Sequence, residues 1–273
     1  MSSGAVEQHY TRGDLQQAVL TAITEAGYDP DALDPDALAP AEEFHTLGRM
    51  ATIALADAAA VNPTDHVLDV GSGLGGPARL LARRYGCRVT GIDLTQELCD
   101  VAADLTRRVG LSDRVDLRQG NALDLPFADG SFDVVWTQHV SMNISDKAAL
   151  YGEMRRVAKD GGRLAFFDIL AGPEQPIHFP VPWAEDPSVS FLASADETRA
   201  EVEGAGFSVR VWDDVTDEAR AFYRQLGAGP PAGPASPLGL HLLIPDMPAK
   251  GANLQRNVDE QRIVIVRGVA DAT

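Results

Sequence analysis

His66–Gly86, HVLDVGSGLGGPARLLARRYG, runs a short apolar strand into a turn with glycines at 71, 73, 75 and 76, and then into an apolar-faced helix. No other stretch narrows the fold as much. A strand, glycine turn and helix in immediate succession open a strand–helix–strand crossover, the unit from which parallel sheets are built. The turn also lets a small molecule approach the backbone closely at a helix N-terminus. Pro77 is acceptable there, because a first-turn proline gives up no helical hydrogen bond.

The alternation continues downstream, which predicts a doubly wound α/β fold. Strands are expected at Cys87–Asp93 (CRVTGID), Arg114–Gly120 (RVDLRQG), Phe132–Gln138 (FDVVWTQ) and Gly162–Leu170 (GRLAFFDIL). Helices are expected over Gln96–Gly110 and Lys147–Ala158, the second ending before KDGG. The period then breaks at AGPEQPIHFPVPWAEDPS, with five prolines, a long irregular segment of the kind that often carries function. A helix (Ala195–Gly206), a strand (Phe207–Asp214), a helix (Asp217–Gly227), a mobile Gly/Pro-rich stretch (AGPPAGPASPLG) and a last strand (Gln261–Val269) follow. Before the glycine turn, a helix is expected from an Asp14 cap to a Gly27 stop, and one longer helix over Ala41–Val61.

The glycines fit two ligand templates. Gly71, Gly73 and Gly76 spell G-x-G-x-x-G, the dinucleotide fingerprint. Asp69, Gly71, Gly73 and Gly75 spell D-x-G-x-G-x-G, the S-adenosylmethionine (SAM) version. Both ask for an acid at the end of the next strand, where Asp93 can accept from the two ribose hydroxyls. Asp69 separates the templates. Its charge is unfavourable beside a pyrophosphate and suits the ammonium of a methionine moiety.

Composition narrows the partners. With 273 residues and 45% apolar residues the chain can bury a large core. A formal charge of −17 repels phosphate-rich partners, so nucleic acid is not expected. Cys87 and Cys99 give no disulfide framework and sit in apolar surroundings. The six histidines lack paired ligand spacing, so no metal is expected. There is no 18-residue apolar run and no hydrophobic signal core, which predicts a cytoplasmic protein without a membrane partner.

VLDVGSGLGG, GIDLT, GNALDLPFADGSFDVVW and EMRRVAKDGGRLAFFD resemble, in order and spacing, successive motifs of class I SAM-dependent methyltransferases of the small-molecule branch, over roughly residues 67–168. EFHTLGRMAT, WTQHVSMNISDK and FPVPWAEDPSVSFL are similar to sarcosine/dimethylglycine N-methyltransferases and their relatives, over about residues 8–210. The resemblance implies a Rossmann-like fold with a seven-stranded, mostly parallel sheet and helices on both faces. It also implies a helical cap over residues 1–60, and a SAM-binding domain over 61–273 with insertions at about 171–190 and 227–258.

Residue by residue, the resemblance places Gly71 and Gly73 along the methionine and ribose, Asp69 near the amino end and Asp93 on the ribose diol. Leu94 packs on adenine, and Asn121 and Ala122 meet the adenine edge. Gln138 offers its backbone to the methionine part, and Tyr10 and His45 close over the cofactor. The family often has Gly-Asp where this chain has Gly120-Asn121, which re-tunes the adenine contact. S-adenosylhomocysteine is the implied product.

Methyl transfer is an in-line displacement, so alignment and exclusion of water matter most. His139, just past the strand that ends at Gln138, is the expected general base or orienting group. Asp168 and His178 are the other candidates. Met142, Asn143, Asp168, His178 and Trp183 are expected around the acceptor, the flat face of Trp183 suiting a cation or ring. The expected acceptor is a small molecule, first an amine of the sarcosine/dimethylglycine type. An O- or C-methylated specialised metabolite is the alternative. A carboxylated amine needs a cation, and Arg49 is the one that the sequence offers nearby. An NAD-binding oxidoreductase and a non-catalytic SAM-binding protein are the rival classes. A homodimer stays open.

Overall fold

The computed structural model describes residues 3–227 and 236–273. Its centre is a seven-stranded sheet of β1 (His66–Val70), β2 (Arg88–Asp93), β3 (Val115–Gln119), β4 (Phe132–Gln138), β5 (Ala158–Ala171), β6 (Phe207–Asp214) and β7 (Ile263–Ala272). The spatial order is β3-β2-β1-β4-β5-β7-β6, and β7 runs antiparallel to both neighbours. The order reverses beside β1. In open α/β sheets that switch point opens a crevice at the carboxyl ends of the strands.

Alternation along each strand feeds two cores. In β4, Val134 and Trp136 face α4 (Arg49–Ala58) and α5 (Gly76–Tyr85), while Val135 faces α7 (Lys147–Val157) and α8 (Ala195–Gly204). α8 starts with a capping box between Ser194 and Glu197. α9 (Thr216–Gly227) and α10 (Met247–Asp259) pack on the α4/α5 face. α6 (Gln96–Arg108) shares a third core with α2 (Leu15–Glu25) and residues 238–244. The N-terminal helices thus have no core of their own; Leu15, Val19 and Ile23 are buried against Leu98, Val101 and Leu105.

Several expectations change. Ala41–Val61 is not one helix: α3 (Ala39–Glu42) stops, and α4 begins at Arg49. Leu47 and Gly48 take positive φ between them, and the His45 ring donates back to the Gly48 carbonyl (3.0 Å). Asp14 sits at the N-cap of α2 without capping it. Glu97 of α6 does so instead, accepting from the backbone N–H of Arg12, Gly13 and Leu15. KDGG lies inside β5, where the register against β4 slips between Phe132 and Val134. α1 (Ser3–Tyr10) and α10 are additional helices. Of the Gly/Pro-rich stretch expected to be mobile, residues 228–235 lie outside the described residues. Among the described residues no helix is long and apolar enough to cross a membrane.

Candidate active site

A cavity of about 380 Å³ opens where β1, β2 and β4 end, roofed by α1 and by the irregular segment around residues 188–191. Tyr10, His45, Asp69, Gly71, Gly73, Asp93, Leu94, Asn121, Ala122, Gln138, His139 and Asn143 all line it.

The glycine turn explains the floor. Gly71 has φ +77, and a Cβ there would lie 2.2 Å from Val140 Cγ2, so only glycine fits. Gly73 has φ +51 and nothing within 4 Å of where its Cβ would be, which leaves backbone open to the cavity. Asp93 holds the turn: Oδ2 accepts from Gly73 N–H and Oδ1 from Thr95 N–H, both at 2.9 Å. Each oxygen keeps a lone pair for a further donor. Asp69 is different. It is 2% exposed, and its Oδ2 is buried with no partner. Burial, with the Asp93 and Glu43 charges, raises its carboxyl to about 7. A cationic ligand would bring that carboxyl back to the ionised form. Among the described residues no Lys or Arg lines the cavity, and this acidic floor suits the sulfonium and ammonium of SAM.

The β4 end carries the polar groups of the other wall. His139 has φ 54, uncommon for a residue with a Cβ and a sign of local strain. Its N–H donates to the Phe167 carbonyl (2.8 Å), and its ring stacks on Phe167 (5.4 Å between centroids, 5° between planes). Ring Nε2 is buried and unpartnered. Burial, then the nearby His45, pushes its pKa well below 6.5, so the imidazole is neutral. His45 is held at about 4, chiefly by burial.

Other expected residues line the cavity but have commitments of their own. The Tyr10 hydroxyl donates to Asn143 Oδ1 (3.1 Å), and Asn143 Nδ2 donates to the carbonyls of Trp183 (2.9 Å) and Val189 (2.8 Å). Asn143 therefore ties α1 to the roof and has no hydrogen left for an acceptor. Asn121 Oδ1 accepts from Leu123 N–H (3.0 Å), an Asx turn that uses one of the lone pairs expected for adenine.

Four expected acceptor residues are not on the wall. Met142 is buried in the core, and its carbonyl accepts from Phe191 N–H (2.7 Å). Asp168 is 1% exposed and accepts from Ser141 and Ile169 N–H, so it fixes the turn after β4 from behind. Trp183 packs in the core with its indole N–H on Ser190 Oγ (3.0 Å), so no ring face is free for a cation. His178 pairs with Glu260 (2.7 Å) at the end of α10. Arg49 is spent on Asp36, Glu42 and Glu43.

Sequence reasoning passed over Val6, Glu42, Phe44, Val189, Phe191 and Leu243, which also line the cavity. Glu42 is pinned there by a buried ion pair with Arg79, which also donates to Thr106 Oγ1 (3.0 Å). Two local cues existed: Val6 and Tyr10 share a helical face, and a glycine, Gly48, comes three residues after the run Glu42-Glu43-Phe44-His45.

A family model described as a methyltransferase domain matches residues 68–166. Methyltransferase GfsG of Streptomyces halstedii is 33% identical over 241 residues, which span 87% of this chain and 81% of that protein. The glycine/sarcosine/dimethylglycine N-methyltransferase of Actinopolyspora halophila is 35% identical over 132 residues, 48% of this chain and 23% of that much longer protein. Among solved structures, a geranyl diphosphate methyltransferase in complex with GPP and sinefungin aligns with a TM-score of 0.69 at 21% identity, covering 83% of this chain and 80% of that one; this likeness speaks for the fold. The chain belongs to the SAM-dependent methyltransferases of class I, Rossmann-like fold, and acts on a small molecule.

Proposed function

We propose that this enzyme methylates a neutral, largely apolar small molecule, with His139 receiving the proton that the acceptor gives up. One observation carries the reading: among the described residues that line the cavity there is no Lys or Arg. A carboxylate or diphosphate would enter beside Asp69 and Asp93 without a cationic partner, which is costly in a dry site. Phe44, Val140, Ile144, Val189, Phe191 and Leu243 instead offer apolar surface. A carboxylated amine of the sarcosine type fits this wall less well than an uncharged metabolite.

When bound, SAM supplies a methyl group on a sulfonium. Asp93 holds the ribose diol and keeps the glycine turn in place. Asp69 balances the cation, Leu94 and Ala122 flank adenine, and the Gln138 backbone meets the methionine part. His139 is neutral and held rigid by its stack on Phe167. A weak base suffices, because the acceptor proton becomes strongly acidic as its atom gains a methyl. Residues 3–60 act as a cap: α1 rests on Asn143, and α2 on α6.

Label transfer from isotopically labelled SAM tests the acceptor class. Neutral apolar acceptors should take the label, while sarcosine, dimethylglycine and geranyl diphosphate should not. Faster labelling of any of those three than of neutral acceptors would sink the reading. Hydrogen exchange over residues 3–60 should slow when SAM binds; unchanged exchange would remove the cap.

A further inference from the structure

The side chain of Gln138 is locked in one orientation. Its Oε1 lies 3.0 Å from Trp136 Nε1 and 3.2 Å from Thr52 Oγ1. An indole nitrogen only donates, so the atom facing it must be the amide oxygen; turning the amide over would set N–H against N–H. Thr52 is free to donate to that oxygen because it stands 3.0 Å from His45 Nε2, whose proton also faces the Gly48 carbonyl. The amide nitrogen therefore points away from this network. Gln138 lines the cavity, is 8% exposed, and its Nε2 is buried with no partner. The next residue, His139, brings a buried and unpartnered ring nitrogen to the same wall. The His45 ring centroid is 6.2 Å from that of His139, and Thr52 links the same His45 to Gln138. The orphaned amide donor of Gln138 and the orphaned ring nitrogen of His139, which accepts when the ring proton sits on Nδ1, belong to adjacent residues of one wall, and a ligand that satisfies both would complete what the protein leaves unpaired.

We infer that Gln138 is a specificity-determining residue that selects a neutral hydroxyl, of an alcohol or a phenol, as the methyl acceptor; this rests on the neutral-acceptor reading above. A hydroxyl oxygen has two lone pairs and one hydrogen. One lone pair accepts from Gln138 Nε2, the hydrogen goes to His139 Nε2, and the second lone pair remains for the new O–C bond. The carbon–sulfur bond breaks as that bond forms, and the proton leaves on His139. A neutral amine has a single lone pair, so it cannot accept from Gln138 and attack at once. An electron-rich carbon offers no lone pair to the amide.

The test is calorimetry on the full chain saturated with S-adenosylhomocysteine, titrated with 2-naphthol, 2-methoxynaphthalene and 2-naphthylamine. Wild type should bind 2-naphthol about tenfold or more tightly than the other two, the scale of one lost hydrogen bond to a buried group. Gln138→Leu and Gln138→Glu should both erase that preference. Gln138→Glu keeps an oxygen for Trp136 and Thr52, so it carries the test if Gln138→Leu does not fold. Trp136→Phe, which frees the amide to turn, should weaken the preference partially. Equal binding of the three probes, binding of none, or a preference that survives both Gln138 variants overturns the inference. So does a tenfold loss of SAM affinity with the preference intact, which would give the amide to the cofactor. Labelling of carboxylated or diphosphate acceptors defeats the neutral-acceptor reading itself. Labelling of neutral acceptors on nitrogen, unaffected by Gln138→Leu, defeats only the hydroxyl assignment.

Discussion

The floor and the roof of the cavity are built by opposite rules. The floor comes from two adjacent strand ends, 69–73 and 93–95, and its backbone donors are paired with Asp93. The roof and far wall are gathered from α1, the turn after β4, the segment at 188–191 and Leu243, and they hold together through side chains that cross the chain, such as Tyr10 to Asn143 to Trp183. The floor keeps one unpartnered atom, an acidic oxygen of Asp69. The far wall keeps a neutral pair, Gln138 Nε2 and His139 Nε2. A cationic cofactor below and an uncharged acceptor above match that difference.

The sharpest way to break the comparison is at His139. If the far wall serves only the acceptor, His139→Ala should lower kcat about 10²–10⁴-fold, the usual size of a lost proton acceptor. SAM affinity by calorimetry should hardly move. A variant whose SAM affinity falls in step with its rate would merge the two halves; one with wild-type kcat and KM would take His139 out of the chemistry.

The reciprocal change is Asp93→Ala. It removes a charged acceptor from the ribose and the clamp on Gly73, so SAM binding should weaken by about 1.5–3 kcal/mol. Acceptor KM, measured at saturating SAM, should stay put. Unchanged SAM affinity would end the ribose assignment.

The floor was legible in the sequence for the reason that it is compact. Asp69, Gly71, Gly73 and Asp93 lie on a strand, a turn and the next strand end, where spacing alone fixes geometry. The order of the strands and of α5 to α9 was legible too, because period-2 and period-3.6 patterns rarely clash there. The break at Glu43–Gly48 was not, since apolar residues on both sides keep a helical period, and the positive φ of Leu47 and Gly48 and the pairing of Glu42 with Arg79 belong to the folded chain. Trp183 and Met142 look like wall residues in a list of apolar side chains. That they face the core depends on how 176–191 is threaded against α10, through His178, Asn257, Pro180 and Asn253. Gln138 was placed at the site for its backbone; the orientation of its amide depends on Thr52, far away in sequence.

Asp69 sharpens the comparison through pH. Its carboxyl stands at about 7 in the fold against an ordinary 3.8. A raised acid favours the protonated folded state, so its contribution to stability is full below about 3.8 and is lost as pH rises through 7. Ligand-free Tm should therefore fall between pH 5 and 8, and Asp69→Asn should flatten that fall and raise Tm at pH 8. SAM binding should show the opposite trend, tightening roughly tenfold from pH 6 to 8 as the carboxylate forms. Glu43, also raised to about 7 by burial and by Glu42, supplies the residual slope in the variant. If Asp69→Asn leaves both slopes unchanged, its unpartnered oxygen is not what meets the cation.

The smallest effect is expected at the roof. Tyr10→Phe deletes one hydroxyl and leaves the ring edge-on to Phe44, at 6.1 Å between centroids. The lost bond is one 3.1 Å contact to Asn143 Oδ1, worth about 0.5–1.5 kcal/mol. Asn143 keeps its two bonds to the carbonyls of Trp183 and Val189, so the far wall should hold its shape. The change should be confined to α1: faster amide exchange over residues 3–10, a KM for the acceptor that rises only a few-fold, and SAM affinity and kcat near wild type. Asn143→Ala removes all three bonds and should cost more. Tyr10→Phe added to it should then cost almost nothing further, because the hydroxyl no longer has its partner. Additive losses in that double mutant, or unchanged exchange in α1 after Tyr10→Phe, would mean that apolar packing of Val6 and Tyr10 ties the helix down and that the Tyr10–Asn143 bond does not.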